Sequence, residues 1–166
     1  MRSLFIVSMV LSSCLLFGQK YGHINSRNLL DTLNETKIIA AELSTYEKAL
    51  TETGEKMVLK FQMNLEAYRT EVAAGNLTAI RRKQLESELE VEQDAIGKYQ
   101  QSAKESLEKR RNDLLNPLLA KIDLAIDQIA KEGGYNMIFD SSVSMLFVTD
   151  AFDISAMVIS KLNTPK

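Results

Sequence analysis

Leu43, Tyr46, Leu50, Gly54, Met57, Phe61, Leu65, Tyr68 and Val72 follow one another at steps of three, four and four residues. The period is eleven residues, and only Gly54 breaks its apolar character. In a second run, Leu85, Ile96, Leu107, Leu118 and Ile129 stand eleven apart, and Leu89 adds to the stripe. Eleven residues in three turns is about 3.67 per turn, which keeps a stripe on one side of a nearly straight or slightly right-handed helix pair. A seven-residue repeat would wind the pair into a left-handed supercoil instead. The alternative, two ordinary amphipathic faces, treats the alignment as coincidence.

No proline and one glycine fall between Glu35 and Ala73, so this span reads as one long helix. Ala74-Gly75-Asn76 breaks it, and Thr78 is placed to cap a second run reaching about Lys131. Arms of roughly 40 residues would be about 60 Å long. A short turn between two such helices makes them antiparallel neighbours. With the turn near Gly75-Asn76, Gly54 falls opposite Tyr99. It is either a flexion point or room for the Tyr99 ring, and the second reading is favoured.

Pro117 interrupts the second run. It removes a helical hydrogen bond and kinks or breaks the helix. The charged Glu108–Asp113 precedes it, and Leu118, Leu119, Ile122, Ile126 and Ile129 follow more densely. Pro117 therefore reads as the place where an exposed arm enters a buried body.

Around the arm lie the remaining segments. Residues 1–18 carry Arg2, an apolar centre and Gly18 before Gln19, which reads as a secretory signal cleaved after Gly18. Leu11-Ser12-Ser13-Cys14 loosely fits a lipoprotein box, but the apolar run continues past Cys14 and ordinary cleavage is favoured. Cys14 is the only cysteine, so the mature chain has no disulfide chemistry. Loss of Arg2 takes the formal charge from −2 to −3, which gives no reason to expect nucleic acid as a partner. Tyr21–Asn25 reads as a strand, and Ser26 or Asn28 can cap a short helix with Leu29, Leu30 and Leu33.

Gly133-Gly134 ends the long helix. Asn136–Asp140 and Met145–Thr149 then read as two strands of a hairpin with the loop Ser141–Ser144. Both are apolar at consecutive positions, so both faces need cover. Leu29, Leu33, Ile126 and Ile129 can cover one. A last helix opens near Asp153 and presents Ile154, Met157, Val158 and Leu162. The other face and the bare edges call for self-association, because a sheet this small is marginal alone and its edges invite pairing. Ile24, Ile138, Phe139, Leu146, Phe147 and Val148 are the expected interface.

The expected organisation is a signal at 1–18, a body at 19–34 and 117–166, and an arm at 35–116 with its tip near 74–77. The class is α+β, mostly α, with a small β body and a long antiparallel helical hairpin. His23, the only histidine, sits in a predicted strand, where a structural role is favoured over catalysis. Glu86, Glu88, Glu90 and Glu92 lie two apart, so a helix scatters them. Nothing points to an enzyme, a metal or a cofactor, and no Gly-rich phosphate loop is present.

The segment Asn116-Pro117-Leu118-Leu119…Ile122…Ala125-Ile126…Ala130-Lys131-Glu132-Gly133-Gly134-Tyr135, followed by NMIFD and by Asp153-Ile154-Ser155 through Lys161-Leu162-Asn163, resembles the Skp family of periplasmic chaperones, also called OmpH-like. The likeness covers essentially the whole mature chain. It implies a jellyfish-like homotrimer in the periplasm, with tentacles around a cavity. Such a trimer holds unfolded outer-membrane β-barrel proteins without nucleotide. Met57, Phe61, Met63, Leu65 and Tyr68 are the candidate client contacts. The runner-up is an envelope adaptor that docks one fixed partner through its helical hairpin. The best-known members are basic, whereas this chain is slightly acidic. Its basic bands, Arg81-Arg82-Lys83 and Lys109-Arg110-Arg111, flank the acidic stretch Glu86–Asp94, which puts membrane or lipopolysaccharide contact in doubt.

Overall fold

The structure, a computed structural model, describes residues 19–143 and 145–164. The expected signal and Cys14 lie outside the described residues. The protein is mostly helical with one small sheet. Its elements are β1 (Tyr21–Ile24), α1 (Ser26–Thr32), α2 (Asn34–Ala73), α3 (Ala79–Gly133), β2 (Met137–Asp140), a single 3-10 turn (Asp150–Phe152) and α4 (Ser155–Leu162). The described residues form two compact units, one from the segment up to Leu33 together with that from Leu119 onward, the other Asn34–Leu118.

In the unit of residues 34–118, burial follows the sequence stripe. All nine positions from Leu43 to Val72 are half-buried, and most of the intervening positions are exposed. Leu85, Ile96 and Leu107 are half-buried likewise. Cross-links between the two helices have α3 numbers that fall as α2 numbers rise. The Arg110 guanidinium meets the Glu42 carboxylate, the Tyr99 hydroxyl donates to the Leu50 carbonyl at 2.9 Å, and the Tyr68 hydroxyl donates to Glu86 at 2.5 Å. Gly75 turns the chain with φ +70, and Thr78 Oγ1 accepts the Arg81 N–H at 3.2 Å, the expected cap. No residue of α2 is fully buried, so this unit is held by a seam rather than by a core. Pro117 lies inside α3 rather than ending it.

The other unit has a true core. Ile24, Leu29, Leu33, Ile122, Ala125, Ile129, Ile154 and Val158 are buried, Leu29 and Val158 almost completely. Asn25, and neither Ser26 nor Asn28 as expected, caps α1 by accepting the Asn28 N–H at 3.0 Å. β1 and β2 pair in parallel, Tyr21 opposite Met137 through Ile24 opposite Asp140. The expected C-terminal hairpin does not form. Among the described residues, 145–149 hold no strand, and β2 has β1 as its only sheet neighbour. The second edge of β1 is taken instead by the chain at 153–154. His23 bridges Asp153, and the Ile154 N–H donates to the His23 carbonyl at 3.0 Å.

The KEGGYN segment closes α3. Gly134 adopts φ +66, and the Tyr135 N–H reaches back to the Ala130 carbonyl at 2.9 Å, the six-to-one bond of a Schellman cap. A Cβ on Gly133 would stand 2.5 Å from the Tyr135 ring, and one on Gly22 would stand 3.1 Å from it. The two glycines thus form a slot for Tyr135. Lys20 lies over the same ring at 4.1 Å and donates from Nζ to the Gly133 carbonyl at 2.8 Å, so one cation both stacks and satisfies the helix end.

Candidate functional site

Two surfaces carry the residues singled out in the sequence, one on each unit. On the body, the turn after β2 is built around Asp140. Its carboxylate accepts the Ser26 N–H at 3.2 Å and the Ser142 N–H at 2.9 Å. Burial alone would push this carboxyl up, but the Ser26 and Ser142 hydrogen bonds outweigh it and hold it at about 2. Ser141 adds its N–H to the Ile24 carbonyl at 2.7 Å. The Asp153 carboxyl is also held below the usual range. Burial opposes this, while the Ser155 hydrogen bonds and the charge of His23 favour it. The Ser155 N–H donates to Asp153 Oδ1 at 2.7 Å, although the N-cap of α4 is Ile154 and not Asp153.

His23 is 6% exposed, and its Nε2 lies 3.1 Å from the Thr149 carbonyl oxygen. The imidazole fastens the 149–153 segment across β1, which is the structural role expected for it. The apolar segment between the two anchors, Asp140 and Thr149, faces solvent. Leu146 is as exposed as in an open chain (105%), Phe147 is 83% exposed and Val143 74%. Met137 and Phe139 project from the outer face of β2, and the Phe139 ring lies 6.3 Å from that of Tyr21.

The six expected interface residues therefore separate. Leu146 and Phe147 are bare, Phe139 is 40% exposed and Val148 is half-buried. Ile138 is half-buried in a shallow cleft with Asp123, Ile126 and Ala130 of α3. Ile24 is 6% exposed, covered by its own chain, because β1 lies inside the body with a neighbour on each edge. Sequence reasoning missed Phe152, which adds to the exposed apolar surface together with Met157 of the last helix. Phe152 stood in no apolar run.

On the arm, Met57, Phe61, Leu65 and Tyr68 belong to the half-buried stripe, while Met63 stands off it, 65% exposed. Beside Gly54 lies an open groove of about 570 Å³, with a floor that includes Leu50, Val58, Ile96, Tyr99 and Leu107. Nearer the turn, polar links cross the seam. Asn64 and Lys60 both reach Glu92, at 2.8 and 3.0 Å. Hydrogen bonding by Asn64, then by Lys60, holds the Glu92 carboxyl low against the opposing effect of desolvation. The Tyr68 hydroxyl does the same for Glu86, helped by Arg82 at 3.2 Å. The basic bands are thus partly neutralised in place: Arg82 by Glu86, Lys109 by Asp113 at 2.6 Å, and Arg110 by Glu42. Among the described residues no cluster of side chains could hold a metal ion, and no helix is long and apolar enough to cross a membrane.

This architecture has a solved counterpart. A Caulobacter crescentus CB15 protein, proposed to be an outer membrane chaperone (OmpH-like), superposes with a TM-score of 0.75 over 87% of this chain and 84% of its own, at 14% identity. At that identity the likeness speaks for the fold alone. Curated protein sequences yield no match. The family model described as Outer membrane protein (OmpH-like) matches residues 20–162. The chain belongs to the OmpH-like family.

Proposed function

We propose that this protein is an ATP-independent holdase chaperone of the periplasm. In this reading the leader is cleaved after Gly18. Three copies join through their bodies, and their antiparallel helical arms enclose a space for unfolded outer-membrane β-barrel chains. The observation that carries it is the bare apolar segment of the body. Leu146 at 105% and Phe147 at 83% exposure are costly to leave in water, each worth about 1.5–3 kcal/mol when buried. Contiguous exposed apolar surface marks an interaction site. The open edge of β2 gives the same surface a hydrogen-bonding border. Phe139, Leu146, Phe147 and Val148 form the proposed interface, with Ile138 at its margin.

The arm suits capture by many weak contacts. Its seam has no fully buried residue of α2, so the helices can splay at small cost. Met57, Phe61, Met63, Leu65 and Tyr68 offer adaptable apolar and aromatic contact, methionine being flexible and polarizable. Three arms around one client multiply weak contacts by effective concentration. Kinship with the OmpH-like family and the fold shared with the Caulobacter protein support this reading. The test is dilution of a denatured outer-membrane barrel into the purified mature protein. Suppression of aggregation near one assembly per client is expected. Capture of one folded partner without suppression would favour the adaptor reading instead.

A further inference from the structure

We infer that the Phe147–Val148 peptide bond is a cleavage site for an endoprotease with an apolar specificity pocket, open in the single chain and closed by assembly. The closing half of the inference rests on the proposed three-copy body. An endoprotease holds its substrate as an extended strand, through the substrate's own backbone N–H and carbonyl groups. Chain already bonded into a helix or sheet must open before it can be held in that way. Among the described residues, Met145–Val148 lies in no helix or strand, and its backbone enters no hydrogen bond. The segment is fixed beyond both ends. The Ser142 N–H donates to Asp140 Oδ1 at 2.9 Å, and His23 Nε2 meets the Thr149 carbonyl at 3.1 Å. Phe147 supplies the side chain: it is 83% exposed, and its ring suits an apolar pocket of the chymotrypsin kind. The other exposed aromatics are not offered in this way. Tyr21 and Phe139 sit in the paired strands, and the Phe152 N–H is bonded to the Thr149 carbonyl at 3.1 Å.

The step consumes one water. Its hydroxyl joins the Phe147 carbonyl carbon, the C–N bond breaks, and the remaining proton goes to the Val148 nitrogen. The piece from Val148 onward stays seated, because Ile154 and Val158 are 2% and 0% exposed and the Ile154 N–H donates to the His23 carbonyl at 3.0 Å. The cut therefore leaves the body folded and divides its apolar surface between Phe147 and Val148, inside the proposed interface. Burial of Phe147 between copies closes the bond to a protease. Cutting thus falls on chains that have not assembled and disables them for assembly.

The purified mature protein would be treated with chymotrypsin over a range of protein concentrations, with assembly followed by light scattering and products by mass spectrometry. In dilute solutions of single chains the first cut is expected after Phe147, ahead of every other aromatic residue, and the released end starts at Val148. Where about nine chains in ten are assembled, the cut should be about tenfold slower, because cutting follows the free population. Phe147→Glu should lose the cut after residue 147 and keep its helical content. A first cut elsewhere in the single chain, or none, overturns the site. Equal cutting rates in dilute and in assembled solutions overturn the closing of the bond and leave the site standing. Single chains at every concentration, cut after Phe147, overturn the three-copy reading and not the site.

Discussion

The ring of Tyr99 lies over Gly54, with Cε1 3.4 Å from where a Cβ on that glycine would stand. The Tyr99 hydroxyl then reaches the Leu50 carbonyl one turn earlier. The missing side chain in the stripe is thus occupied by an aromatic from the neighbouring helix. A Cβ at 3.4 Å is ordinary contact, so alanine fits. Gly54→Ala should stabilise the arm by up to about 1 kcal/mol through helix propensity. Gly54→Leu should displace Tyr99 and destabilise it. Thermal unfolding followed by circular dichroism separates the two. If both variants destabilise, the Tyr99 ring leaves no room even for a methyl group at position 54.

Self-association should depend on the bare segment of the body. Phe147→Glu is predicted to reduce the mass in solution from three chains to one by light scattering, with unchanged helical content. Phe147 makes the clean test because it is 83% exposed in the single chain. Ile138 does not, since it packs near Ile126 and a charge there also strains the body. A charge at outward Ile80, 84% exposed, should leave the mass unaltered.

The slot for Tyr135 predicts coupling between two positions. Gly133→Ala puts a Cβ 2.5 Å from the Tyr135 ring and should cost roughly 1–3 kcal/mol. In a Tyr135→Ala background most of that penalty should vanish. A double-mutant cycle by urea unfolding measures the coupling.

Asp140 predicts an acid limit for the body. Its carboxyl is held at about 2, below the ordinary 3.8, so the charged form is the one the fold favours. The stability it supplies is present above pH 4 and is lost as pH falls toward 2. Asp140→Asn should abolish that part of the acid dependence. Asp140→Ala should cost about 1–3 kcal/mol at neutral pH, because the Ser26 and Ser142 donors lose their acceptor. Unfolding curves from pH 2 to 7 would show both effects.

What could be read from the sequence follows the distance over which each decision is made. The stripe from Leu43 to Val72 was legible because a helix is decided by neighbours three and four residues away. The Gly54–Tyr99 match followed from the turn position alone. The sheet was not legible in the same way. Met145–Val148 has the composition of a strand, but composition does not choose a partner: β2 joined β1 across more than a hundred residues, and Asp153 and Ile154 took the other edge of β1. The burial of Ile24 follows from the same pairing. Phe152 escaped notice because it stands between Ala151 and Asp153, outside any periodic run.

The parallel register of Tyr21 with Met137 sets an order of events for newly made protein. The first strand emerges early and has nothing to bind until the last fifth of the polypeptide arrives. Contacts so remote in sequence form slowly, whereas the intervening helices need only local ones. The two long helices can therefore assemble first, and the sheet that joins the two ends of the chain closes last.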